Sequence, residues 1–116
     1  MINLGTTVRR MQITYSFKKI GDFDQHFCRQ YIDRKVEAVE RALPKLREDA
    51  EVSLVFRAER FAKKKAFRVS LSLQADTHRW MAEEDDHTLQ EAIDLAKDKL
   101  ILQMRKYHRL SGTMQR

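Results

Sequence analysis

A chain of 116 residues with 42% apolar content has room for one domain with a single modest core, and two full domains are excluded. Lys and Arg number 23 against 17 Asp and Glu, a formal net charge of +6, and 34% charged residues with 3 Gly and 1 Pro exclude a disordered tail. No stretch approaches the roughly 18 apolar positions of a membrane span, residues 1–10 hold no apolar signal region, and lone Cys28 permits no internal disulfide, so the expected setting is a reducing cytoplasm.

Met11, Ile13, Tyr15 and Phe17 alternate with polar residues, the period of a strand with one wet face. Gly21 and Asp22 break it, and Asp22 with Gln25 has the form of a helix N-cap and its third-position partner. Phe27, Cys28, Tyr31, Ile32, Val36, Val39 and Leu43 recur at spacings of three and four along the helix that follows, and Pro44 ends it. Val52, Leu54, Phe56 and Ala58 mark a second strand. Phe67, Val69, Leu71, Leu73 and Ala75 mark a third, with Lys63, Lys64 and Lys65 at the hairpin tip between them. A short fourth strand is expected around residues 78–82, ended by the acidic run Glu83, Glu84, Asp85 and Asp86. Thr88 and Glu91 form a capping box before Leu89, Ala92, Ile93, Ala96, Leu100, Met104 and Tyr107, a helix reaching about Arg109.

Strands with one apolar face need a cover on that face only. The order β-α-β-β-β-α therefore predicts an α+β two-layer sandwich, a four-stranded mixed sheet with two helices on one face. The last three strands should form an antiparallel meander, and the first should join a parallel neighbour by a crossover through the helix. One domain over residues 1–116 is expected, with its core at about 8–110.

Charge is unevenly distributed. Arg57, Arg60, Lys63, Lys64, Lys65 and Arg68 fall in one segment with a single acid, and no acid follows Asp98, whereas the stretch from Asp76 to Asp98 is strongly acidic. A lopsided field steers a polyanion onto one region, and nucleic acid is the first to test. The same charges also suit helix dipoles and a solvated turn. Phe17, Phe27, Tyr31, Phe56, Phe67, Trp80 and Tyr107 fall on core faces, so no base-stacking platform is visible and contact with phosphates is favoured. The two cationic regions are expected to converge on one exposed side.

No catalytic set emerges. His26, His78, His87 and His108 show no metal-ligand spacing, there is no Gly-rich phosphate loop, and Cys28 reads as a small core residue. The expectation is a protein with no metal, no cofactor and no small-molecule substrate, and not an enzyme. Leu95, Ile101 and Leu102 lie off the main apolar stripe of the last helix and are expected to be buried between the sheet and the first helix, with a partner surface as the alternative.

The element order, Tyr31-Ile-Asp-Arg-Lys-Val-Glu-Ala-Val-Glu-Arg41, Ala82-Glu-Glu-Asp-Asp86, Ala92-Ile-Asp-Leu-Ala-Lys-Asp-Lys-Leu100 and Gln103-Met-Arg-Lys-Tyr107 resemble the ribosome hibernation promoting factors, also called the ribosome-associated inhibitor or ribosomal subunit interface family. The resemblance covers residues 11–109, and with the chain ending at Arg116 it is to the short form. Leu102 stands where the family commonly carries Arg or Lys. The resemblance implies a fold like a double-stranded RNA-binding domain with an extra strand. It also implies binding to ribosomal RNA of the small subunit near the decoding region, blocking mRNA and tRNA and silencing idle ribosomes. Carried over by position, the RNA-binding residues are Lys63, Lys64 and Lys65 at the strand link and Lys99, Arg105, Lys106 and Arg109 on the last helix. The alternatives are a stand-alone double-stranded RNA binder and an interaction module pairing through its last helix.

Overall fold

Alternation in β1 (Met11–Lys18) turns Ile13, Tyr15 and Phe17 to one face of a four-stranded sheet, and the same period governs the other strands. The computed structural model describes residues 11–44 and 50–114, with side chains described through Tyr107, so residues 8–10 of the expected core lie outside it. After β1 come α1 (Asp22–Arg41), β2 (Val52–Phe61), β3 (Ala66–Ala75), β4 (His78–Asp86) and α2 (Leu89–Met114). The strands lie in chain order, β1 parallel to β2 and the rest antiparallel, which is the predicted crossover followed by the predicted meander.

Register places Tyr15, Phe56, Leu71 and Ala82 in one row and Ile13, Leu54, Leu73 and Trp80 in the next. Helix α2 covers β3 and β4 with Ala92, Ile93, Ala96, Leu100 and Met104, all fully buried. The small residues Ala92 and Ala96 let helix and sheet approach closely. Helix α1 lies over β1, where the Arg29 guanidinium sits 4.6 Å from the Tyr15 ring centre. Between the helices, the Tyr31 hydroxyl donates to the Asp94 carboxylate at 2.9 Å, with Lys35 4.0 Å from the same group. Burial, then this hydrogen bond, push the Tyr31 phenol above its ordinary pKa, so it stays a neutral donor. Cys28 is buried in the core as expected, and burial pushes its thiol up to about 12.

Four expectations change. The strand-to-helix break falls on Lys19, whose φ of 60° is left-handed, while Gly21 has an extended φ of −72° and occupies the N-cap. Asp22 is therefore inside the first turn, where with Asp24 it meets the positive end of the helix dipole. Gln25 instead donates its side-chain amide to the Ile20 carbonyl at 2.9 Å. Strand β4 does not stop at Ala82 but runs through the acidic segment to Asp86, because cations across the ladder and on α2 neutralise its carboxylates. Helix α2 continues past Arg109 to Met114, since extending an existing helix adds a hydrogen bond per residue without needing a partner and no proline stops it. Of the three off-stripe apolar residues only Ile101 is buried; Leu95 is 44% and Leu102 58% exposed, while α1 meets α2 along the Asp94 side.

The N-cap at Thr88 forms as expected, its Oγ1 accepting from the Glu91 N–H at 3.1 Å. The sheet's other face has no covering layer among the described residues. Phe56, fully buried where β1, β2 and β3 meet, is the most demanding core position. Phe56→Ala should lower unfolding free energy by about 3–5 kcal/mol in urea titration, the range for a cavity of that size.

Candidate nucleic-acid interface

The β2–β3 hairpin closes through residues 62–65, with the Lys65 N–H donating to the Ala62 carbonyl at 3.2 Å. Lys65 takes a φ of 50°, a left-handed conformation that costs a residue with a Cβ roughly 1–2 kcal/mol. Its carbonyl is met at 3.2 Å by His87 Nδ1, which must carry the ring proton because a carbonyl only accepts. The turn is thus tied to the residue before the α2 N-cap. Lys63, Lys64 and Lys65 are all exposed, and Lys64 Nζ lies 5.6 Å from the Phe61 ring centre.

Arg57 and Arg60 on β2 are exposed with no ion pair among the described residues, whereas other cations near the turn are paired. Arg68 makes two parallel bonds to Asp85, at 2.8 and 3.1 Å, with Glu83 3.9 Å away. These bonds hold the Asp85 carboxyl below the usual carboxylate range, with Lys64 adding to the effect. Lys18 pairs with Glu59 at 3.6 Å. On α2, Lys99 pairs with Glu84 at 2.9 Å. Arg105 and Lys106 are exposed and have no ion pair among the described residues, while the Arg109 side chain lies outside them.

The two cationic regions do not converge. The hairpin turn sits beside the N-terminus of α2, and the helix then runs back along β4, so Gln103 donates to the Met81 carbonyl at 2.8 Å and Tyr107 reaches His78 at 3.3 Å. From Thr88 to Lys106 the helix spans roughly 27 Å at 1.5 Å per residue. The antiparallel return of α2 over the meander is the reason: it sends its basic end toward the β3–β4 turn, away from the β2–β3 turn. Lys63, Lys64 and Lys65 form one group, Arg105 and Lys106 another, and Lys99 lies between them in an ion pair. A ligand engaging both ends must span roughly the 27 Å length of that helix segment.

One residue beside the turn escaped the sequence reading. Phe23, in the first turn of α1, is 85% exposed. Its spacing from Phe27 and Tyr31 extends the apolar stripe, so periodicity alone reads it as core.

The chain is similar to known proteins in sequence and in fold. Residues 13–110 match the family described as Sigma 54 modulation protein / S30EA ribosomal protein. That match spans most of the chain, and the protein belongs to this ribosome-associated family, the hibernation promoting factors of the sequence resemblance. Two solved structures share the fold. The N-terminal domain of Thermus thermophilus Protein Y is 23% identical with a TM-score of 0.63, covering 84% of this chain and 99% of that one. A ribosomal subunit interface protein from Coxiella burnetii is 16% identical with a TM-score of 0.60, covering 85% and 99% respectively. No curated protein matches the chain by sequence.

Two outcomes test this geometry. Lys65→Gly should raise unfolding free energy by up to about 1 kcal/mol in urea titration, because glycine relieves the left-handed strain at some entropic cost. Asp85 has a lowered folded-state pKa, so its contribution to stability is present above its unfolded pKa of about 3.9 and is lost as pH falls through the folded value. Asp85→Asn should therefore lose less stability than the parent between pH 5 and 2, read as the shift in urea midpoint.

Proposed function

We propose that the protein binds the small ribosomal subunit near the decoding region, takes the place of mRNA and tRNA there, and inhibits translation in idle cells, working in the cytoplasm. Membership of a ribosome-associated family supplies the class of partner. The observation that carries the contact is the hairpin turn, where three consecutive lysines stand exposed with no ion pair among the described residues, while Arg68 and Lys18 behind them are paired with Asp85, Glu83 and Glu59. Lys63, Lys64 and Lys65 meet ribosomal RNA phosphates at one end of the domain, and Arg105, Lys106 and Arg109 meet them at the other. Lys99 joins by exchanging Glu84 for a phosphate, a substitution of one anion for another that keeps its charge paired.

Phosphate contacts orient without reading sequence, which suits a protein docking on a fixed RNA surface. The mechanism is steric occupation, and no chemical step is required of any residue. The exposed Leu95 and Leu102 favour a second reading, self-association through α2. A dimer insensitive to salt in size-exclusion chromatography would support it.

Sedimentation with purified ribosomes at two salt concentrations tests the proposal. The parent should pellet with ribosomes and release as salt rises, with a slope of about 0.9 in log affinity per phosphate neutralised. The triple change Lys63→Ala, Lys64→Ala, Lys65→Ala should weaken pelleting and reduce that slope by up to about 3, and the triple change Arg105→Ala, Lys106→Ala, Arg109→Ala should act similarly. Pelleting of either variant indistinguishable from the parent would remove that cluster from the interface. Binding to free duplex RNA with indifference to ribosomes would replace the proposal with a stand-alone double-stranded RNA binder.

A further inference from the structure

Phe23 is the most exposed large apolar side chain among the described residues. It forms one wall of an open groove of about 320 Å³ between the first turn of α1 and the N-terminus of α2. Phe27 and Phe67 line the groove beside it, with His87 and Asp24 at its rim. Phe27 stacks on Tyr31, ring centres 5.2 Å apart at 20°. Phe67 stands two residues beyond Lys65, and His87 holds the Lys65 carbonyl at 3.2 Å. An aromatic groove and a lysine turn therefore adjoin, fixed to each other by the His87 contact.

An exposed phenylalanine is unfavourable in water, and here it borders a cavity that its own core has not closed. Charge selects the occupant. Asp24 repels a phosphate from the groove, while the lysines attract one just outside it. A neutral, flat, apolar-faced group attached to a phosphate satisfies both, and Asp24 can accept a hydrogen bond from a base N–H edge. We propose that this groove takes the unpaired base of an RNA strand whose backbone phosphates lie on Lys63, Lys64 and Lys65, with Phe23 as the stacking surface. The proposal rests on the ribosomal RNA reading above and adds to it a contact with an unstacked nucleotide, the feature by which proteins distinguish looped or bulged RNA from duplex.

The test uses the whole chain and a short RNA hairpin bearing one unpaired aminopurine, a base whose fluorescence is quenched by stacking. The parent should quench it. Phe23→Ala should abolish quenching and weaken binding by about 5- to 150-fold, the range for losing one stacked base, with the salt slope unchanged. Phe23→Trp should restore both. The lysine triple variant should show the reverse pattern, a flatter slope with quenching retained at low salt. Quenching and affinity equal to the parent in Phe23→Ala would overturn the proposal. So would loss of ribosome pelleting by Phe23→Ala without any quenching by the parent, since the groove would then hold a protein side chain. If the parent quenches the hairpin yet ignores ribosomes, the groove assignment stands and the ribosomal reading falls. If it pellets with ribosomes while Phe23→Ala does so equally and neither quenches, the reverse holds.

Discussion

The rows that run unbroken across four strands, Tyr15 to Phe56 to Leu71 to Ala82 and Ile13 to Leu54 to Leu73 to Trp80, fix everything else in this protein. A slip of one residue in any strand would turn its apolar set to water, so burial under the two helices specifies the register strongly. Once the register is set, the β2–β3 turn must emerge at the end where β4 finishes. The start of α2 is then placed beside that turn, and its basic end at the far side of the sheet. The distance between the cationic groups is thus a consequence of core packing.

The acidic segment of β4 has a structural role that its composition conceals. Strand alternation sends Glu83 and Asp85 to the bare face, where they meet Arg68, and sends Glu84 toward α2, where it meets Lys99. Exposed pairs of this kind contribute little to stability. Their effect is selective: they pair Arg68 and Lys99 and leave the cations at the turn and at the end of α2 without ion pairs among the described residues. The field of the molecule is shaped by this subtraction more than by its net charge.

Strained backbone marks the same place. Lys65 adopts a conformation that glycine or asparagine would hold at lower cost, and the residue there instead carries charge. Phe23 likewise stands in water although its spacing fits the apolar stripe of α1. Two local costs within one end of the domain, each borne by a side chain suited to a nucleotide, coincide with the groove that separates them.

Periodicity made the strand and helix order legible, because the alternation at Met11–Lys18 and the spacing from Leu89 onward each describe a surface with one dry side. The lysine turn was legible for the same reason, lying between two clean alternations. Three features were not: the length of β4, the exposure of Phe23, Leu95 and Leu102, and the separation of the basic groups. Local pattern tells which face of an element is apolar, but it does not tell how far a neighbouring element extends to cover that face or which charge lies opposite. Composition and spacing therefore determined the layers and the two basic stretches, from which the family resemblance picked the candidate cations. Only the tertiary arrangement decided which of those cations are already paired, which aromatic ring is left uncovered, and which groups a single ligand can reach, because each depends on residues far apart in the chain meeting across the sheet.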